Sequence, residues 1–166
     1  QLFAALYAHP DLKAEPMSGG RQMGAHFVSA SHDENGEWLD LTKQYNHSSD
    51  ISPTAGQIPR AIGLAQASKV YRTLSIKGSE KFTQNGNEIC WATIGNASTS
   101  EGLFLEAMNA AGVLQIPLVM SVWDDGYGIS VDNERQTTKG SISKALAGLK
   151  RTSSEKGVEI FRVNGW

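Results

Sequence analysis

Two short apolar runs, at residues 89–94 and 118–123, each lead directly into a polar loop, and a helical pattern separates them. Runs this short, apolar and bounded by turn residues are typical of buried strands. Two strands joined through a helix run parallel, because the helix carries the chain back to the start of the next strand. The sequence therefore predicts an α/β fold, with a parallel sheet between helices on both faces in three layers.

The spacing of apolar residues predicts the two main helices. From residue 57 to residue 70 apolar side chains recur three and four positions apart, and Pro59 lies in the first turn. Ser-Thr-Ser-Glu at 98–101 has the form of a capping box, which predicts a second helix that begins at Ser98. Gly112 is a natural residue to end that helix.

The rest of the chain completes a single predicted domain over residues 1–166. Residues 1–55 are rich in turn-forming residues and predicted to be irregular, whereas 56–166 form the sheet-and-helix core. Within the core we expect a weaker helix at 141–149 and a last strand at 158–163. Trp91 and Trp123 lie within predicted strands, so we expect both side chains in the core.

Composition narrows the possible functions and environments. The chain has 166 residues, a net charge of −2 and no dense basic stretch, which argues against nucleic-acid binding. No apolar run reaches the ~18 residues of a membrane span, and without a secretory signal at the start we expect a cytoplasmic protein. Cys90 is the single cysteine and lies in an apolar run, which favours a buried structural thiol. Both ends look cut, so a truncated domain is expected.

The polar loops after the two predicted strands are the candidate functional site. In parallel α/β sheets, ligands bind beyond the carboxyl ends of the strands. Gly95 permits a sharp turn, and the helix that follows offers unpaired amides to an anion. Asn96 and Asp125 place oxygen atoms on neighbouring loops, where both could reach one hard cation. Both are equally well explained as turn residues that satisfy local backbone groups.

The amino-acid sequence of these loops resembles a known motif. Gly-Asn-Ala-Ser-Thr-Ser-Glu-Gly at 95–102 and Asp-Asp-Gly-Tyr-Gly-Ile-Ser at 124–130 resemble the thiamine diphosphate motif, which begins Gly-Asp-Gly and ends Asn-Asn. Their sequences are similar to those of α subunits of pyruvate and branched-chain 2-oxo acid dehydrogenases. Gly-Arg-Gln-Met-Gly-Ala-His-Phe at 20–27 and Ser-Pro-Thr-Ala-Gly-Gln-Ile-Pro at 52–59 resemble two earlier segments of that family. The resemblance runs from about residue 19 to the end, in the family's order.

The resemblance implies a truncated thiamine diphosphate-binding fold that holds the cofactor with Mg²⁺. The implied metal ligands are the side chains of Asn96 and Asp125 and the backbone carbonyl of Tyr127. The other implied cofactor-binding residues are Gly95 and Ala97, along the diphosphate, and Ser52 and Thr54, near the aminopyrimidine.

Several positions depart from the family's pattern. Its Asp-then-Asn order appears as Asn96 followed by Asp125, which keeps the summed charge of the two ligands. Trp123 stands where the branched-chain enzymes commonly carry an arginine, and Thr54 replaces a larger apolar residue. His26 matches a family histidine, for which a structural role is favoured over direct catalysis; no catalytic residue is otherwise identified.

The implied activity is oxidative decarboxylation of a 2-oxo acid of the 2-oxoisovalerate or pyruvate class, with acyl transfer to a lipoyl carrier. A β-type subunit or fused second half would supply the glutamate that faces the aminopyrimidine, and a lipoyl-bearing acyltransferase would receive the acyl group. Two alternatives remain. Asn96 in place of an acidic ligand favours a degenerate, non-catalytic domain that serves assembly. The loop sequences fit another thiamine enzyme, such as a transketolase, less well.

Overall fold

The structure, a computed structural model, describes residues 1–24 and 26–165, so Ala25 of the segment 20–27 and Trp166 lie outside the described residues. The chain divides into two units. The first consists of residues 1–52 and 74–85, and the second of residues 53–73 together with the chain from residue 86 onward.

The first unit contains little regular structure. Helix α1 spans Leu2–Leu6, and a single 3-10 turn spans Leu41–Lys43. Loops are held in place by side chains instead, as where the ring of Trp38 packs between His32 and Phe82 with centroid distances of 4.0 and 4.9 Å.

A two-stranded parallel sheet forms the centre of the second unit. Strand β1 spans Cys90–Gly95 and strand β2 spans Leu118–Trp123. The strands pair in register along their whole length, from Cys90 opposite Leu118 to Gly95 opposite Trp123. The predicted parallel pairing of these two segments is therefore confirmed.

Two helices pack against one face of this sheet. Helix α2 spans Ile58–Thr73 and helix α3 spans Gly102–Leu114. Ile58 from α2 and Phe104 from α3 are fully buried. They belong to one apolar cluster whose buried sheet members are Ala92 and Ile94 of β1. A mixed α/β fold with a parallel sheet is thus observed.

The opposite face of the sheet is exposed, and the expectation that Trp91 and Trp123 lie in the core is wrong for the described chain. Their side chains are 65% and 71% exposed. Successive side chains of a strand point to opposite faces, so burying Ala92 and Ile94 under the helices turns Trp91 away from them. Partial burial on the helix side also raises the pKa of the Cys90 thiol, which is half-buried and not fully buried as predicted.

Helix α3 begins later than predicted, and the predicted capping box is not formed. Ala97–Ser100 is a 3-10 turn, and α3 starts at Gly102 after Glu101, whose side chain makes no capping bond. The hydroxyl of Thr99 donates to the Asn96 carbonyl over 2.6 Å, which stabilises the tight turn in place of a first helical turn at Ser98.

The end of α3 also differs from the prediction. The helix continues past Gly112 to Leu114, and Gln115 adopts the left-handed conformation that ends it, with φ 52°. The Gln115 Nε2 donates to the carbonyls of Gly112 and Gly157, at 2.7 and 2.9 Å. Gly112 lies inside the helix, where an added Cβ would make an ordinary contact with the Gly157 Cα at 3.7 Å.

The segment after β2 folds into short elements. A two-residue antiparallel pair joins β3, Tyr127–Gly128, to β4, Val131–Asp132, and helix α4 follows at Asn133–Gln136. The predicted helix at 141–149 is present in two pieces: helix α5, Ile142–Ala145, and a 3-10 turn at Leu146–Leu149.

The predicted strand at 158–163 is not formed within the described residues. Only an isolated parallel bridge joins Val158 to Lys150. Phe161 and Val163 are 81% and 86% exposed, because no neighbouring strand of the described chain pairs with this segment.

Candidate functional site

The loops that follow β1 and β2 meet at the carboxyl ends of the strands. Gly95, the last residue of β1, lies opposite Trp123, the last residue of β2. The backbone N–H of Asn96 then donates to the carbonyl of Trp123 over 3.1 Å, which extends the pairing by one residue. The structure thus brings together the two loops that the sequence singled out.

The side chain of Asn96 is buried, at 4% exposure, and lies at one end of a chain of hydrogen bonds. Its Nδ2 donates to Oδ1 of Asn133 over 2.8 Å. The Nδ2 of Asn133 donates in turn to Oδ1 of Asp124 over 2.8 Å. This amide relay of Asn96, Asn133 and Asp124 joins the β1 loop to the β2 loop through the first residue of α4.

Asp125 and Tyr127 lie in the same loop but outside the amide relay. The Asp125 Oδ1 accepts the backbone N–H of Tyr127 over 3.1 Å, and Tyr127 pairs with Asp132. Both side chains are exposed. Asp125 therefore acts as a turn residue, as the alternative interpretation expected, but its second carboxylate oxygen accepts no hydrogen bond from the described residues.

Gly95 borders a part of the site with free space, whereas Ala97 borders a closely packed part. An added Cβ on Gly95 would meet nothing nearer than the Ser98 hydroxyl at 3.9 Å, so a ligand has room to approach this backbone. Ala97 is closely packed instead: a Cβ on Gly128 would lie 2.4 Å from the Ala97 Cβ. Only a glycine at position 128 allows the second loop to lie this close to the first.

The remaining predicted site residues are divided between the two units. In the first unit the hydroxyl of Ser52 is 3.0 Å from Nε2 of the half-buried His26. Thr54 belongs to the second unit and is exposed. The structure therefore pairs His26 with Ser52, and the cofactor contacts of Ser52 and Thr54 remain predictions.

The sequence interpretation missed Asn133 and Gly128. Asp132 caps α4 by accepting the Arg135 N–H over 3.1 Å, so an Asp-Asn pair at a helix start is the one local signal near Asn133. Nothing local indicates that its side chain reaches Asn96, 37 residues away in the chain.

The implied ligands fit a hard divalent cation in their chemistry. A carboxylate, an amide oxygen and a backbone carbonyl are the oxygen ligands that Mg²⁺ and Ca²⁺ accept. The Asn96 Oδ1 accepts no hydrogen bond from any described residue, so it is available as a ligand. The described residues contain no cluster of three or more His, Cys, Asp or Glu side chains suited to a metal, so such a site would rely on amide and carbonyl oxygens.

No helix within residues 1–24 and 26–165 combines the length and apolar character needed to cross a bilayer.

Comparison with known proteins identifies the family. The family model described as "Dehydrogenase E1 component" matches residues 19–165. The α subunit of 2-oxoisovalerate dehydrogenase from Bacillus subtilis is 28% identical over 152 residues, which are 92% of this chain and 36% of that protein. The mitochondrial α subunit of 2-oxoisovalerate dehydrogenase from Caenorhabditis elegans is 28% identical, over 74% of this chain and 23% of its own length. The pyruvate dehydrogenase E1 component subunit alpha from Dictyostelium discoideum is 28% identical, over 51% of this chain and 22% of its own length.

The chain thus spans between about a fifth and about a third of the length of these relatives. The family match covers both loops of the candidate site and both earlier segments that carried the resemblance. The chain belongs to the dehydrogenase E1 component family, and the predicted resemblance to α subunits of 2-oxo acid dehydrogenases is confirmed.

Proposed function

We propose that this chain is the thiamine diphosphate-binding, α-type part of the decarboxylating component of a 2-oxo acid dehydrogenase. The reaction is oxidative decarboxylation of a 2-oxo acid, of the 2-oxoisovalerate or pyruvate class, with acyl transfer to a lipoyl carrier. Family membership and the names of the relatives support this assignment. In the complete protein we expect the sheet to gain helices on its second face, giving the three-layer cofactor-binding fold in a cytoplasmic multienzyme complex.

The meeting of the two loops at the carboxyl ends of β1 and β2 is the observation that carries this proposal. Ligands of parallel sheets bind at this edge. Asn96, Asp125 and the Tyr127 carbonyl would hold Mg²⁺ there, and the open backbone at Gly95 would face the diphosphate together with Ala97.

The aminopyrimidine side of the cofactor is assigned to Ser52 and Thr54. The Ser52 hydroxyl already pairs with His26, so His26 would orient Ser52 and has no assigned contact with reacting atoms. When bound, thiamine diphosphate supplies a nucleophilic carbon and an electron sink for the loss of CO₂. The described residues of this chain would bind and orient the cofactor. A β-type subunit or a fused second half would supply the glutamate that takes part in proton transfer.

One observation favours a second candidate function. The acidic ligand position carries the amide Asn96, and the nitrogen of that amide is engaged by Asn133. A domain that had lost catalysis could keep such a hydrogen bond for the stability of the loops and serve only in assembly. Measured turnover separates the two functions, since a degenerate domain would associate with its partner without decarboxylation.

The test compares the chain alone with the chain assembled with its β-type half. Reduction of an artificial electron acceptor is measured with 2-oxoisovalerate and pyruvate. We expect no turnover from the isolated chain, because the partner's glutamate is absent, and thiamine diphosphate-dependent turnover from the assembly. Turnover by the isolated chain would contradict the proposed division of labour, and an inactive assembly would favour the degenerate alternative.

A matched pair of variants tests the metal ligand. Asp125→Asn removes a proposed ligand charge and should raise the Mg²⁺ concentration needed for half-maximal activity about tenfold or more. Asp132→Asn changes the charge by the same amount at the end of β4, and asparagine caps a helix as well as aspartate does, so it should leave that concentration unchanged. Equal effects of the two substitutions would argue against Asp125 as a ligand.

A further inference from the structure

We propose that Asn133 is a positioning residue which, together with Asp124, fixes the orientation of the Asn96 amide and so presents its oxygen to the bound cation. The inference rests on the proposed function, in which Asn96 is a ligand of Mg²⁺. It explains how an amide can stand where an acidic ligand is expected.

The orientation of Asn133 is set by Asp124. An ionised carboxylate only accepts hydrogen bonds, so the group that Asn133 turns toward Asp124 has to be its NH₂. The two atoms are 2.8 Å apart. The backbone of Asn133 is held as well, because its N–H donates to the Gly126 carbonyl over 3.0 Å. The Asn133 Oδ1 therefore faces Asn96.

The orientation of Asn96 follows from that of Asn133. Facing an acceptor, Asn96 turns its NH₂ toward Asn133 over 2.8 Å, which leaves Oδ1 as the end without a hydrogen-bond partner among residues 1–24 and 26–165. The backbone of Asn96 is fixed on both sides, by Trp123 through its N–H and by the Thr99 hydroxyl through its carbonyl. Rotating the Asn96 amide by half a turn would set two acceptors, the oxygens of Asn96 and Asn133, against each other at a buried position, which is costly.

This orientation matters for an amide and not for a carboxylate. An amide has one oxygen, and in the wrong rotamer it presents an NH₂ group that repels a cation. A carboxylate presents an oxygen whichever way it turns. Replacing an acidic ligand by Asn96 therefore creates a need for orientation, which the amide relay meets. Residues that orient metal ligands in this way typically contribute about 10–100-fold to metal affinity.

The test is a double-mutant cycle on the full-length protein assembled with its β-type half. Binding of Mn²⁺ in the presence of thiamine diphosphate is titrated by electron paramagnetic resonance, and binding of Mg²⁺ by calorimetry. Asn133→Leu, which can neither donate nor accept, should weaken cation binding about tenfold. In the Asn96→Asp background the same substitution should cause no loss, because the new carboxylate needs no orientation.

A charge-neutral exchange provides the rescue. Asp124→Asn combined with Asn133→Asp reverses the hydrogen bond between positions 124 and 133, but it keeps an acceptor opposite the Asn96 NH₂ group and the summed charge of the amide relay. This double variant should bind the cation within about twofold of wild type, well inside the tenfold loss expected of Asn133→Leu.

Asp132→Ala controls for general damage to the loop, because it removes the cap of α4 next to Asn133. It should lower the melting temperature without changing cation affinity. Equal losses from Asn133→Leu in both backgrounds, unchanged affinity in Asn133→Leu, or no rescue by the exchange would each overturn the inference. If the wild-type assembly binds neither Mg²⁺ nor Mn²⁺ with thiamine diphosphate, the proposed function fails first and the inference with it.

Discussion

At the scale of single residues, Glu15 shows how a loop of the first unit is held around one carboxylate. Glu15 is only 3% exposed. It accepts the Ser18 hydroxyl at 2.6 Å and the N–H groups of Met17, Ser18 and Gly20 at 2.8–3.0 Å. These hydrogen bonds, the Ser18 hydroxyl first, lower the pKa of Glu15 from 4.5 to about 2, since they favour the ionised form.

The shifted pKa of Glu15 predicts a loss of stability in acid. A pKa that is lower in the folded state stabilises the fold above the unfolded value, here 4.5, and that contribution is lost as the pH falls toward about 2. Glu15→Gln should therefore lower the urea midpoint of this unit at pH 7, and the difference from wild type should shrink as the pH approaches 2. Glu34→Gln, at an exposed glutamate of the same unit, should leave the midpoint unchanged at both pH values. A constant difference for Glu15→Gln would contradict the linkage.

At the scale of elements, the candidate site depends on how closely β3 approaches the loop after β1. Gly128 of β3 has space for no side chain, because an added Cβ would lie 2.4 Å from Ala97 and 2.6 Å from the Gln136 side chain. The sheet edge and α4 thus hold the two loops against each other through a glycine.

Gly128→Ala should separate the loops. Overpacking of this kind typically costs about 1–3 kcal/mol of the free energy of unfolding, measured in urea. Gly63→Ala is the matched control, since Gly63 is exposed inside α2 and an added Cβ meets nothing within 4 Å. There the change should raise stability by up to about 1 kcal/mol, because alanine is the better helix former. If Gly128→Ala also raised stability, the close approach of the loops would not be a feature of the folded protein.

At the scale of the whole molecule, the second unit has a core on one side of its sheet only. Phe104 is 1% exposed within that core, and Trp91 on the other face is 65% exposed. The two tryptophans on the exposed face leave a large apolar area in contact with water, so this face contributes little to the stability of the described chain.

This one-sided core predicts unequal costs for two aromatic substitutions in the isolated chain. Phe104→Ala should lower the free energy of unfolding by about 3–5 kcal/mol, because it leaves a cavity among buried side chains. Trp91→Thr should change it by no more than about 0.5 kcal/mol, since threonine suits an exposed strand position. Equilibrium urea unfolding measures both, and comparable losses would mean that the Trp91 face is covered in solution.

The sequence by itself determined the features that depend on neighbouring residues. The apolar runs placed both strands to within one residue, and periodicity placed α2, because strand and helix periods are local properties. The order of the elements made the strands parallel and brought the loops of Asn96 and Asp125 to one edge. The amino-acid sequence of the loops also indicated the family, which the comparisons confirmed.

Only the tertiary structure decided which face of a strand is covered and which distant groups meet. The residue pattern of Ser98–Glu101 favours a helix cap, yet the hydrogen bonds that Thr99 donates to the Asn96 carbonyl make this segment part of a 3-10 turn. Trp91 and Ala92 point to opposite faces of the sheet, as neighbours in a strand do, but the local pattern does not say which of the two faces the helices. The partner of Asn96 lies 37 residues away, and its choice follows from the folding of the second loop and α4 over the first. Such contacts depend on packing between elements, whose geometry no local period encodes.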